Sequence, residues 1–460
     1  MKQIGRRAFL AGAVGLSLVG ILKPQLVTGL ISRQPEPAQE EDEVLAEEQP
    51  LPEPEPVDCD YILTNGIIID GMSSEAFPGH VAIKGQEIVA VGDFQWVATA
   101  KVIDAGGLFV TPGFIDLHTH TEQYHRNNGK GEMILLQGVT SQIGGNCGTS
   151  VKSIGGHFEA LQATGVNTGL FVGYKMLRNK YVGEGKTTNK QLEAMQEDLA
   201  TGLGEGAFGL SVGLQYWPQV YATTEEIIAL CEVLKDCGGF LSIHIRNEDN
   251  QVLPSLEEAI EIGLKAGVPV QYSHIKTANE ANWGKMPRVL ELVEGAAASG
   301  LDITSDVYGY TFSSWDLGTN RNSLNEEDIC LALKHPLVMV GSDSWLDNAG
   351  NCSHPRAYGN YPRILRRYVR EQGLLTWEEA IRKMAAMPAR RLGLKDRGIL
   401  APGMKADIAV FDGNKITDCA TRSEPVLLSQ GMEYVFVNGQ LAVDKGQPTG
   451  VLAGQVLRQG

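Results

Sequence analysis

From about residue 108 onward, short apolar runs alternate with longer stretches of helical periodicity, the pattern of βα units feeding a parallel sheet. The apolar runs fall at 108–117, 139–144, 169–173, 209–214, 240–245, 268–273, 301–305 and 338–341. Eight strands in that alternation predict an α/β fold of the (β/α)8, TIM-like barrel type over 108–395, with the active site at the carboxyl ends of the strands. Capping-box spacing predicts helix starts at Thr223 with Glu226, Ser255 with Glu258, and Thr376 with Glu379.

The first 60 residues follow a different rhythm. Residues 1–22 run from a charged start through the pair Arg6-Arg7 into an uncharged apolar stretch, 8–22. That stretch is shorter than the roughly 20 residues a spanning helix needs. A basic start before a short apolar region is the pattern of an export signal, and Arg6-Arg7 ahead of Phe9-Leu10 is similar to a twin-arginine signal. Residues 1–33 are therefore expected to engage export machinery and send the chain to the periplasm or cell surface. Cleavage and retention as a membrane anchor both stay open, because no small-x-small site is evident. Residues 34–57 carry Pro at 35, 37, 50, 52, 54 and 56 amid acidic side chains. Self-repelling charge and few large apolar residues predict an extended linker.

Charge adds one exclusion. The chain of 460 residues has a formal net charge of −16, opposite to what phosphate backbones attract, so no nucleic-acid partner is expected. Five bases in 1–33 and eleven acids in 34–60 leave −10 for residues 61–460. The acidity is thus largely a property of the linker. Seven cysteines form no C-x-x-C pair, which predicts neither a zinc ribbon nor a redox pair. A chain that folds before export folds in a reducing compartment, so no disulfide framework is expected.

The chemistry gathers at the predicted strand ends. The first strand runs into His118-Thr119-His120, two imidazoles on one face of an extended segment. The second ends in a Gly-rich turn holding Cys147, the fifth in His244, the sixth in Ser273-His274 and the eighth in Gly341-Ser342-Asp343. Four imidazoles, a thiol and a carboxylate converging on one rim are the ligands a borderline metal such as zinc prefers. Each of these histidines taken singly, and Cys147 as an inert buried thiol, has a purely structural alternative. The remaining histidines, 80, 125, 157, 335 and 354, are read mostly as surface residues, His354 less firmly because of its neighbours.

The motif PGFIDLHTH at 112–120 resembles the amidohydrolase superfamily, and within it the D-aminoacylase, or N-acyl-D-amino-acid deacylase, branch. The likeness extends over nearly all of 58–458 through an ordered series: Gly145–Gly148, GAFGLSVGLQYWP at 206–218, HIRNE at 244–248, SHIK at 273–276, NWGK at 282–285, GSD at 341–343, HPRAYG at 354–359, the stretch 397–412 and VNG at 437–439. The resemblance implies a tight zinc site from Cys147, His244 and His274, with Cys147 in the bridging position, and a second, weaker site lined by His118, His120 and Asp343. It implies that Lys276, Arg356, Tyr216 and Tyr308 hold the substrate's carboxylate and acyl amide, although Arg356 alone reads equally as a structural ion pair. It also implies a composite β domain built from 58–107 and 396–460. The expected reaction is hydrolysis of the amide of an N-acyl-D-amino acid, a small-molecule substrate, with Asp343 as general base and then acid. A dipeptidase or a cyclic-amide hydrolase of the hydantoinase or dihydroorotase kind is the enzymatic alternative. An exported binding protein on a retained barrel is the other.

The sequence departs from the branch in four places. Only 32 residues separate Tyr310 from Asp343, where the well-known deacylases carry a longer insertion over the active site. Tyr308-Gly309-Tyr310 replaces Tyr-Pro-Tyr, Thr121-Glu122 stands where an acidic pair often follows the H-x-H, and Gly173-Tyr174-Lys175 lacks a commonly seen His.

Overall fold

The computed structural model describes residues 55–460 apart from Ser74; the export signal and most of the linker read from the sequence lie outside the described residues. Eight parallel strands follow one another in chain order as a (β/α)8 barrel: β1 (Phe114–Asp116), β2 (Val139–Gly144), β3 (Asn167–Leu170, resumed at Val172–Gly173), β4 (Gly209–Gly213), β5 (Phe240–His244), β6 (Val270–Tyr272), β7 (Ile303–Val307) and β8 (Val338–Val340). The ring closes just beyond the ends of β1 and β8, where Thr119–His120 pairs in parallel with Ser344–Trp345. Strands such as β2, β4 and β5 are buried at every position, because helices cover the outside of a parallel sheet and side chains fill the inside. An apolar cluster around Ile115, Ile143, Phe208, Phe240 and Met339 packs within the ring, and the polar residues occupy the carboxyl ends.

The run at 108–117 is two strands rather than one. Phe109–Pro112 pairs with Tyr61–Ile68 and with Ile408–Phe411 in a nine-stranded sheet made from both ends of the described chain, while β1 opens the barrel. Gly113 marks the transfer, and a Cβ there would lie 2.3 Å from Thr140 Oγ1, so only glycine lets the chain cross at this point. The sheet has its own core of Leu63, Ile68, Val81, Ile88, Val110 and Phe436. The last residues leave this sheet and return to the barrel, Leu457 N–H donating to Thr168 O at 2.7 Å.

Asp407 locks the two layers together. Its carboxylate accepts from Arg397 Nη1 at 2.5 Å, Asn167 Nδ2 at 2.9 Å and the Asn438 N–H at 2.7 Å, and its carbonyl accepts from the Gly113 N–H at 2.8 Å.

Two of the three predicted helix starts hold. Thr223 accepts the Glu226 N–H, and Thr376 and Glu379 cap reciprocally. Ser255 instead lies inside the helix Val252–Ala266, which starts a turn earlier with Gln251 as its N-cap residue; Asn247 Oδ1 accepts the N–H groups of Asp249 and Gln251 in the turn that leads into it. No helix among the described residues is long and apolar enough to cross a membrane.

The surface assignment of the extra histidines is also overturned. His125, His157, His335 and His354 are buried, because the short helices and loops that carry them are themselves covered by neighbouring elements. His125 Nε2 bonds Gln142 Oε1 at 2.9 Å, and burial holds both His125 and His157 down at about 4.

Two outcomes follow from this packing. Asp407→Ala removes the buried partner of the Arg397 guanidinium, leaving it only the half-exposed Asp396, and is expected to lower unfolding stability by about 3–5 kcal/mol in urea titration. For His125 and His157 the folded pKa lies below the unfolded value, so the unfolded chain takes up protons first. Their contribution is complete above pH 6.5 and is lost as the pH falls toward 4, measured as a falling urea midpoint across that window.

Candidate metal centre

The closure of the barrel positions the site. Asp116, buried at the end of β1, accepts from the Ser342 N–H at 3.0 Å and from Ser342 Oγ at 2.5 Å, and the Asp343 N–H donates to His118 O at 2.9 Å. Burial pushes the Asp116 carboxyl up to about 6. Asn146 Nδ2 donates to Leu117 O and Ile143 O at 3.1 and 3.0 Å, while its Oδ1 accepts from Ser242 Oγ of β5 at 3.1 Å. Gln219 donates to Cys147 O at 3.1 Å and accepts the Gly213 N–H at 2.8 Å. Neighbouring strand ends are therefore tied to each other by buried side chains before any ligand arrives.

Three residues at these ends hold left-handed backbone: Cys147 at φ +52°, His274 at +35° and Asp343 at +50°. That conformation costs a non-glycine residue on the order of 1 kcal/mol or more and persists where the surroundings over-determine it. Each of the three sits at or just past the end of a strand, where such a kink turns the side chain away from the strand's own path.

The structure brings the four histidines, the thiol and the carboxylate read from the sequence into one cluster. Cys147 Sγ lies 3.5 Å from His118 Nε2, 3.5 Å from His274 Nε2 and 3.9 Å from His244 Nδ1. His244 Nδ1 and His274 Nε2 are 2.9 Å apart. Asp343 Oδ1 lies 3.3 Å from His120 Nε2 and 3.6 Å from His118 Nε2. The donor atoms form three compact, overlapping groups: His118, Cys147 and His274; His118, His120 and Asp343; and His244, Glu248 and His274. The outer nitrogens are backed by carboxylates, His118 Nδ1 by Asp306 at 3.1 Å and His274 Nδ1 by Glu248 at 2.9 Å. Carboxylates placed at the outer nitrogens are the arrangement that orients imidazoles for metal ligation through the inner ones. The donor set fits one or two zinc ions.

The electrostatics point the same way. Burial alone would raise the Cys147 thiol, but His118 and His274 beside it hold it well below its ordinary value. Burial also opposes ionisation of Asp343, yet Arg356, followed by His274 and His120, keeps that carboxyl well below the usual range. His120 is driven up to about 10 against burial by Asp343 and Cys147. Anionic sulfur and carboxylate thus call for positive charge at one point.

Beside the cluster stands a cationic pole. Arg356 Nη1 lies 2.9 Å from Asp343 Oδ2, and Lys276 Nζ lies 3.0 and 3.1 Å from the two oxygens of Glu248. Both cations face the Tyr308 ring, at 4.9 and 5.7 Å from its centroid. The Tyr308 hydroxyl is buried without a partner among the described residues, and Tyr216 Oη lies 3.3 Å from His244 Nδ1. His120, Cys147, His274, Asp343, Lys276 and Arg356 all open into one cavity of about 670 Å³.

Sequence reading gave no role to Glu248, Asp306 or Glu122. Glu248 is in the HIRNE motif, and its contact with His274 is visible only when β5 and β6 are adjacent. Asp306 lies one residue beyond the predicted end of the seventh strand, where its inward side chain would have been suspected had the strand been drawn to Val307. Glu122, in one of the departures from the family pattern, accepts the Gly145 N–H and so anchors the turn that carries Cys147.

Comparison with known proteins agrees with this architecture. The amidohydrolase family model matches residues 109–442. The chain is 32% identical to the N-acyl-D-glutamate deacylase of Alcaligenes xylosoxydans xylosoxydans, over 87% of this chain and 96% of that protein. A crystal structure of a D-aminoacylase with a binuclear metal centre superposes with a TM-score of 0.80 at 30% identity, covering 87% of this chain and 100% of that one. The N-acyl-D-glutamate deacylase of Bordetella bronchiseptica, solved with zinc and a phosphonate inhibitor, gives 0.79 at 29% identity over the same shares. This chain belongs to the amidohydrolase family.

Proposed function

We propose that this protein is a zinc-dependent deacylase that cleaves the amide of N-acyl-D-amino acids into a carboxylic acid and a free D-amino acid. The observation that carries this reading is the position of Asp343, whose one carboxylate oxygen faces His118 and His120 and whose other faces Arg356. A single carboxylate there touches both the donor cluster and the cationic pole. The names of the relatives at about 30% identity supply the D configuration and the linear amide.

Cys147, His244 and His274 would hold the first ion, and His118, His120 and Asp343 a second. The chemistry that zinc supplies at such a site is acidification of water and polarisation of the scissile carbonyl. Asp343, kept ionised by its neighbours, accepts the proton of the attacking water and returns it to the departing amine. Arg356 meets the substrate carboxylate through its planar fork and Lys276 as a point charge. Both cations already have anionic neighbours, so the pole is preorganised without being an uncompensated buried charge. Tyr216 Oη, beside His244, donates toward the carbonyl oxygen as negative charge develops on it.

We also propose that residues 1–33 export the folded enzyme and that 34–57 act as a spacer. The basic start and the acidic, Pro-rich tract support this, and cell fractionation with N-terminal sequencing of the exported form tests it.

The full-length, zinc-loaded protein is expected to release free amine from N-acetyl-D-amino acids. Asp343→Asn is expected to lower kcat by about 10²–10⁴-fold. Cys147→Ala is expected to lose bound zinc by elemental analysis and activity with it; turnover that survives both substitutions refutes the mechanism. Glu248→Gln, which weakens the support behind His274, is expected to reduce zinc affinity about 10–100-fold in competition with a chelating dye.

A further inference from the structure

The chain has six tryptophans, and three of them are strongly exposed: Trp315 at 77%, Trp217 at 55% and Trp345 at 51%. All three line the cavity of the metal centre. An indole left in water wastes the largest apolar surface a side chain offers, and exposed aromatic groups gathered at one opening mark a binding surface.

These rings stand on fixed supports. Trp345 pairs in register with His120 where the barrel closes. Trp217 follows Tyr216, and its Nε1 donates to Glu184 at 2.9 Å. Trp315 sits in a single 3-10 turn, Ser314–Asp316, within the short segment between Tyr310 and Asp343. Asp316 Oδ2 accepts from the Ser313 N–H at 2.8 Å and the Ser323 N–H at 3.2 Å, closing that loop on itself. Arg422 stacks on Phe312 at 3.9 Å and donates to Thr319 O and Arg321 O at 3.1 and 2.8 Å, tying the loop to the C-terminal segment. Ser314 Oγ accepts from Arg356 Nη2 at 2.9 Å. The short segment is a built wall that carries an indole outward from the cationic pole.

Most polar side chains of this wall are already partnered, although the buried Ser323 Oγ has no partner among the described residues. Asp316 is satisfied by its own loop, Ser314 by Arg356, the Trp217 Nε1 by Glu184, and Asp249 accepts the Asn250 N–H. The largest recognition surface left over is the faces of the indoles, which suit hydrocarbon better than a hydroxyl-rich or peptide group that needs several hydrogen bonds. Lys175 is a lining cation with no ion pair among the described residues, which makes an anionic tail the competing ligand. The cavity, at about 670 Å³, is in the range for drug-sized ligands, whereas an N-acetyl amino acid has only about a dozen non-hydrogen atoms. With the carboxylate taken by Arg356 and Lys276 at Tyr308, the tryptophan carried next to Tyr216 lies beside the residue that faces the scissile carbonyl.

We propose that Trp217, Trp315 and Trp345 form an outer subsite for a long, apolar N-acyl chain, so that the preferred substrates are N-acyl-D-amino acids with medium- or long-chain aliphatic acyl groups rather than acetyl. This rests on the deacylase reading above and extends it to the acyl half of the substrate.

The test compares N-acetyl-, N-hexanoyl- and N-decanoyl-D-alanine with N-adipoyl- and N-glycyl-D-alanine on the full-length, zinc-loaded enzyme. Each methylene fully removed from water is worth about fourfold in affinity. The decanoyl-to-acetyl ratio of kcat/KM is therefore expected to be about tenfold or more, since partial burial suffices. Trp315→Ala and Trp345→Ala together are expected to bring that ratio close to one. In a separate readout independent of turnover, decanoate is expected to blue-shift the tryptophan emission of the native protein and to leave that of the double variant unmoved. Hydrolysis of the acetyl substrate with a flat chain-length profile, or with preference for the adipoyl or glycyl group, overturns the subsite and leaves the deacylase reading standing. Failure to cleave any of the five overturns the deacylase reading, and absence of the fluorescence shift then overturns the subsite as well.

Discussion

A thiol, four imidazoles and several carboxylates are confined where little water reaches, and the arrangement of the barrel mouth follows from that confinement. Such groups are costly to bury singly and tolerable only when each finds its opposite charge or hydrogen-bond partner at close range. The partners come from different strands: Asp306 of β7 for His118, Glu248 from beyond β5 for His274, and Arg356 from a helix after β8 for Asp343. No single βα unit could stabilise its own member of the cluster. The left-handed backbone at Cys147, His274 and Asp343 belongs to the same constraint, because local strain persists only when contacts from several directions hold it.

The barrel was legible because parallel strands buried on both faces read as uninterrupted apolar runs, and the ligand candidates because chemistry in this fold collects at strand ends. What stayed hidden depends on neighbours that sequence order does not reveal. The Asn247 side chain holds the turn that leads into a helix Ser255 was expected to start. Gly113 divides one apolar run between two sheets because Thr140 of another strand presses against it. His125 and His157 carry no sign of burial in their own segments and are covered in space. Glu248 and Asp306 touch the histidines only across strands. Single-strand patterns thus carry positions along the chain, while the residues that orient the ligands become visible only once adjacency is known.

The short stretch between Tyr310 and Asp343, a departure from the deacylase pattern, is better described by what holds it than by what it lacks. Asp316 and Arg422 fix it from two sides, and Ser314 joins it to Arg356. A wall of this kind is in place before substrate arrives, so its ordering is charged to folding rather than to each binding event. The same bonds link the opening of the site to the C-terminal segment that returns to the composite sheet.

That sheet sets an order on the molecule's birth. Phe109–Pro112 has Tyr61–Ile68 on one side and Ile408–Phe411 on the other, so its second neighbour is made only after the whole barrel has left the ribosome. Until then the N-terminal layer is a half-sheet with a bare edge, a condition that invites wrong pairings. Contacts so distant in sequence are slow to form. Leu457, which donates to Thr168, covers the third barrel strand from the far side of the same sheet, so that strand too waits for segments made long after it.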